Sequence, residues 1–169
     1  MTRRRRCESF RSMSRTLVHY VPILTTLVGI VFARTLWLHW RRKPGATYLL
    51  WWFLGVLTYV AGTLTESITA VAGWHPGVFR AWYITGALLG AAPLAQGTVY
   101  LLLSRRTAHR LTALLLTAVT VAGTFVVLSP LDLAHESVAA GRLTGAVLEW
   151  RWVRRFSPFL NLYAFVFLV

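Results

Sequence analysis

Four apolar runs constrain what this chain can become. Leu17 to Trp40, Thr47 to Ala72, Ala81 to Leu103 and Leu111 to Leu128 hold few charges. Each is long enough, or nearly so, to cross a hydrocarbon core about 30 Å thick at about 1.5 Å of helical rise per residue. The gaps between them are short: Arg41-Arg42-Lys43-Pro44-Gly45, then Trp74-His75-Pro76-Gly77, then Ser104 to Arg110. Such a chain is expected to be an all-α, polytopic transmembrane bundle. A soluble domain of 169 residues could not hide a composition that is 56% hydrophobic and only 14% charged.

The formal net charge of +13 would point to nucleic acid in a soluble protein. Here the basic residues sit between the apolar runs, where anionic headgroups and topology signals account for them, so no nucleic-acid partner is expected. The partners expected are the lipid bilayer, an unidentified small molecule, and a homo-oligomer or other membrane subunits. The short turns carry Arg41, Arg42, Lys43, Arg105, Arg106 and Arg110, which makes their face cytoplasmic by the positive-inside rule and the N-terminus external. The arginines of residues 1–16 argue the other way. The conflict eases if translation starts at Met13. The expected location is the inner (plasma) membrane of a cell, crossed several times.

Residues 1–16 read as a basic, disordered tail, and Cys7 within it has no partner cysteine. A cleaved signal peptide is the rival reading of the first run, but that run is longer than a signal-peptide core. After the fourth run comes a long loop, residues 129–155. Ser129-Pro130-Leu131-Asp132 has the residues of a helix start, which predicts a short surface helix to about Ala140. Leu148 to Trp152 alternates apolar and polar residues and reads as an interfacial segment held by its tryptophans. Residues 157–169 read as an incomplete fifth span, so the chain is expected to be a fragment of a protein with at least five spans.

Glu66 is the only acidic residue inside an apolar run, and the chain has five acidic residues in all. An ionisable group within a membrane span is a functional candidate by default. Small and polar residues recur at steps of three and four in every span. The stripes are His19, Pro22, Thr26, Gly29, Ala33 in the first and Gly55, Tyr59, Gly62, Glu66, Thr69, Gly73 in the second. The third has Gly86, Gly90, Pro93, Gly97, Tyr100, Ser104 and the fourth Ala113, Thr117, Thr120, Thr124. Such a stripe marks a packing face, with Gly55, Gly62, Gly86, Gly90 and Gly97 allowing close approach. Counting inward from one face places Thr25, Thr26, Thr120, Thr124, Asn161 and Tyr163 near the level of Glu66. Arg80 at the lip is the expected counter-ion. Gln96 is expected to bond between helices. Asp132, His135 and Glu136 are too solvated a set to predict a metal. The histidines His39 and His109 lie in basic flanks and predict no haem. No cofactor and no catalytic motif is read from the sequence.

The passage Thr63 to Leu103 resembles multi-span bacterial membrane proteins of unknown function. The likeness is carried by the Glu66 end of the second span, by Phe79-Arg80-Ala81-Trp82-Tyr83, and by Gln96-Gly97-Thr98-Val99-Tyr100. It implies a helical bundle and no particular activity. Three functions remain open at this point: a small-ligand or signal-sensing module around Glu66, a transporter or proton-coupled carrier subunit, and a structural or assembly subunit.

Overall fold

The computed structural model describes residues 21–169. The basic tail of residues 1–16, Cys7 and His19 lie outside the described residues. The fold is an all-α bundle with four helical passages that are long and apolar enough to cross a membrane: Val21–Arg42, Thr47–Ala72, Pro76–Leu102 and Arg105–Leu128. Between 17% and 33% of the residues in each apolar window are buried. Most of each helix surface therefore faces outward, and that surface is mostly leucine, valine, isoleucine and phenylalanine. Such a chain is an integral membrane protein in contact with lipid.

The first passage, α1, is followed by a turn in which the Lys43 N–H bonds the Trp40 carbonyl at 2.9 Å. Helix α2 (Thr47–Ala72) then returns antiparallel. It stops at Gly73, whose φ of +86° takes the chain out of the helix at a position only glycine adopts easily. Helix α3 (Pro76–Trp82) starts with His75 at the N-cap, whose ring accepts the Gly77 N–H, and with proline in its first turn. The third passage is not one helix. Tyr83–Leu89 is a π-helix, Gly90 breaks the path at φ +27°, and α4 (Ala92–Leu102) resumes with Pro93 in its first turn. The fourth passage, α5 (Arg105–Leu128), is capped by the Ser104 hydroxyl.

Helix α2 lies between α1 on one side and α3, the π-segment and α4 on the other. Helix α5 and α7 (Phe156–Leu168) pack on the far side of the third passage. The main core gathers there: Phe79, Tyr83 and Leu88 meet Ala122 and Val126 of α5, Leu160 of α7, and Val147, Leu148 and Val153 of the long loop.

That loop differs from expectation at its start. Ser129-Pro130-Leu131-Asp132 is not helical; the loop's one α-helical turn is α6 (Glu136–Ala139), capped by His135, followed by short 3-10 turns at Gly145–Val147 and Arg151–Arg155. The Ser129 side chain has another task. It is fully buried and its Oγ accepts the Trp150 N–H at 3.4 Å. Leu131 pairs with Leu148 in an isolated β-bridge, supported by Asp132 N–H to Val147 O at 2.9 Å. The hydroxyl that could cap a helix instead fastens the loop onto the bundle. Trp150 and Trp152 stack at 6.3 Å, and Trp152 meets Phe125 edge-on at 4.7 Å.

Candidate functional site

Glu66 lies six residues before the last residue of α2, about 9 Å of helix inside it. It is half-buried. Its Oε1 accepts the indole N–H of Trp82 at 3.0 Å. Glu66 and Trp82 stand at equal sequence distances on either side of Trp74, so the antiparallel return brings them level. Arg80 does not pair with Glu66. Two residues before Trp82, it points about 200° away around α3. Its guanidinium Nη2 donates to the Ser129 carbonyl at 3.2 Å, and its buried Nε has no partner among the described residues. The expected counter-ion therefore serves the loop, and Glu66 has no ion pair among the described residues. Among the described residues the one salt bridge is Arg142–Glu136 at 3.8 Å, at the surface.

A cavity of about 280 Å³ surrounds the carboxylate. Its α2 wall is Tyr59, Gly62, Thr63 and Glu66. Its opposite wall is Trp82, Thr85, Gly86, Ala87 and Gly90, largely the π-segment. The π-turns explain this opening. They widen the helix and re-aim its side chains, and such segments recur at functional sites. The break at Gly90 also frees backbone polar groups. The Gly90 N–H reaches back to the Thr85 carbonyl at 3.0 Å, and the Ala87 carbonyl accepts the Ser157 hydroxyl of α7 at 2.7 Å. Irregular backbone at membrane depth is tolerated where neighbours satisfy it in this way. A second cavity, of about 410 Å³, shares Glu66 as a wall and runs out to Ala140, Gly141, Arg142 and Leu143 of the loop.

The other residues expected at this level separate into groups. Thr26 is buried between α1 and α2 and donates to the Thr63 hydroxyl at 2.9 Å, behind the cavity wall rather than in the cavity. Asn161 lies at the far edge: its Nδ2 donates to Ser157 Oγ at 3.3 Å, and its Oδ1 is 3.8 Å from where a Cβ on Gly90 would stand. Tyr163 is elsewhere, donating to the Gln96 side-chain carbonyl on the other side of α4. Thr120 and Thr124 are exposed on the outward side of α5, as are Ala113 and Thr117, so the small-polar stripe of that helix does not face the bundle. Helix α5 packs with Ala108, Leu115, Ala122 and Val126 instead. The Thr124 hydroxyl donates to the Thr120 carbonyl at 2.8 Å, which lets it face lipid without an unmet donor.

The packing glycines also divide. A Cβ on Gly55 would stand 2.8 Å from the Leu94 backbone N, and one on Gly97 would run into the Trp52 ring. Gly62 faces the Cα of Gly86 across the cavity floor, with 3.4 Å for an added Cβ. Gly86 and Gly90 do not act as a paired helix-crossing motif. The π-segment changes their phase, and Gly90 packs against the Gly86 carbonyl of its own turn.

Trp82 belongs to the entry of the third span, and its equal offset from the turn matches it to Glu66. Gln96 bonds between helices as expected: it is fully buried and centres a polar network that reaches further than its own contacts. Its amide donates to Thr112 at 2.8 Å and to the Ala108 carbonyl at 3.2 Å. Thr112 donates to Tyr100 at 3.0 Å, and Tyr100 meets His109 at 2.8 Å. The network joins α4, α5 and α7. It accounts for His109 without a haem: the ring is engaged by Tyr100, while His39 is exposed on α1.

Compared with known protein families, with curated proteins and with solved structures, the chain matches none.

Proposed function

We propose that this integral membrane protein is a small-ligand or signal-sensing bundle whose site is the Glu66 cavity. One observation carries the reading: an intramembrane carboxylate faces an open cavity with one hydrogen bond and no ion pair among the described residues. Charges in spans are expensive, and a span that carries one for structure alone provides a partner for it. The π-segment on the facing wall supports the same reading. We place the protein in a plasma membrane with its N-terminus outside, on the charge of its short turns, and among bacterial multi-span proteins, on the passage Thr63 to Leu103. A small molecule is its proposed partner; self-association would suit the wide apolar surface.

A carrier subunit is the second reading, favoured by the break in the third passage beside Glu66, since discontinuous helices host transport sites. Beyond Glu66, however, the next cavity inward is lined almost wholly by apolar residues, which offers an ion no path. The experiment that separates ligand site from structural pair compares Glu66→Gln with Trp82→Phe in thermal unfolding of the full chain. A ligand site predicts that Glu66→Gln does not lower the stability of the ligand-free protein, because glutamine keeps the bond to Trp82 and removes an uncompensated charge. A loss as large as that of Trp82→Phe would assign Glu66 to structure.

A further inference from the structure

We propose that the Glu66 site takes an amphiphile in which a single apolar chain ends directly in a cationic nitrogen. The inference rests on the ligand-site reading and names its ligand class. Three cavities lie in series along α2. The deepest, about 430 Å³, is bounded by Leu24, Val28 and Phe32 of α1 and by Val56 of α2. Tyr59 walls both this cavity and the one holding Glu66, and Glu66 walls both that cavity and the one beneath the loop. The series therefore runs from an apolar inner end to a polar outer end, with the carboxylate between. From Val56 to Glu66 is about 15 Å of helix, the reach of a medium-length alkyl chain.

Charge decides the head group. Among the described residues the carboxylate has one donor, Trp82, and no cation, so it suits a positive group. Trp82 and Tyr59 line the same cavity, and aromatic rings also favour cations. A fatty acid would set carboxylate against carboxylate. In a zwitterionic phospholipid the phosphate precedes the amine when counted from the tail, so a tail in the inner cavity would set phosphate against Glu66. A small inorganic cation would leave the inner cavity unused. A nitrogen attached directly to one chain meets both cavities at once. Tyr59 and Val28 are half or more exposed, so such a molecule reaches the site sideways from the lipid, in the orientation of the lipids around it.

The test uses the full chain in nanodiscs of neutral phosphatidylcholine, with dodecyltrimethylammonium below its micellar concentration as the probe. Binding is read as a saturable rise in unfolding temperature, as expected for a ligand that prefers the folded state. The expected result is saturable stabilisation, about tenfold or more tighter than with tetramethylammonium, because only the longer probe buries a chain. Dodecanol should give no such shift. Glu66→Gln should abolish the effect of both cations. Val28→Trp, which fills the inner cavity, should weaken dodecyltrimethylammonium alone; Leu24→Trp repeats the test at the cavity's other edge if that variant is poorly folded. Equal binding of the two cations would overturn the inference and leave the Glu66 pocket standing. Unchanged binding in Glu66→Gln would overturn it as simple partitioning into lipid. No binding of either cation would also overturn it, and the pocket reading would then stand or fall on the Glu66→Gln stability result.

Discussion

At the scale of single residues, the account turns on the relation of Glu66 to Trp82. A hydrogen bond to a charged group contributes about 1.5–3 kcal/mol when its partner is buried. Both side chains here are half-buried, so Trp82→Phe should cost about 1–2 kcal/mol, read from unfolding in detergent or bilayer. Glu66→Gln should leave stability unchanged or raise it by about 1 kcal/mol, the common result when a residue is kept for function at the expense of stability. Glu66 was legible in the sequence because an acid in an apolar run is rare and its cost is general. Its partner was not. Arg80 was expected on charge alone, but direction around a helix decides contact, and Arg80 and Trp82 leave α3 on nearly opposite sides. Thr120 and Thr124 misled for a related reason. A threonine can satisfy its hydroxyl on its own helix, so a polar stripe does not have to face protein. Arg34, the one cation inside the first apolar run, lies on the exposed side of α1, where a long side chain can reach the basic end of the helix.

At the scale of elements, the third passage is the distinctive part. Its apolar length was readable, and Gly90 and Pro93 marked a weak point. The π-segment was not readable, because no residue pattern in Tyr83–Leu89 separates it from an α-helix; it exists because Gly90 leaves the helix and α7 takes up the freed carbonyl. This makes Gly90 the element's critical residue. An added Cβ would stand 2.7 Å from the Gly86 carbonyl oxygen, at a φ that side chains rarely adopt. Gly90→Ala should destabilise by about 1–3 kcal/mol in thermal unfolding. Gly123→Ala, in a helix with nothing within 4 Å of the new methyl, should instead stabilise by about 0.5–1 kcal/mol. Equal effects at the two positions would mean that the break in the third passage is not built into the fold.

At the scale of the whole molecule, the apolar runs alone were enough to derive the bundle and its alternating passages. What they could not show was the weight of the long loop. Its residues Val147, Leu148 and Val153 belong to the main core, and Arg142 and its neighbours close the outer side of the Glu66 site. The loop folds onto the bundle through the Leu131–Leu148 bridge and the buried Ser129, contacts between residues too far apart in sequence for local pattern to reveal. The loop and the Trp74 turn share one face, and the basic turns at Arg41 and Arg105 share the other. On the proposed orientation, a reporter active only in the cytoplasm should work when fused at residue 43 and fail at residue 140. The reverse pattern would invert the topology and place the Glu66 site on the cytoplasmic side.

The most direct measurement asks whether the carboxylate is reachable from the lipid. Dicyclohexylcarbodiimide is apolar and adds covalently to carboxyl groups, so the full chain in a bilayer can be treated with it and mapped by mass spectrometry. An adduct on Glu66, absent from Glu66→Gln, is the predicted result. An unmodified Glu66 in protein whose Glu136 or Glu149 carries the adduct would mean that the carboxylate is walled in, and would contradict a ligand site there.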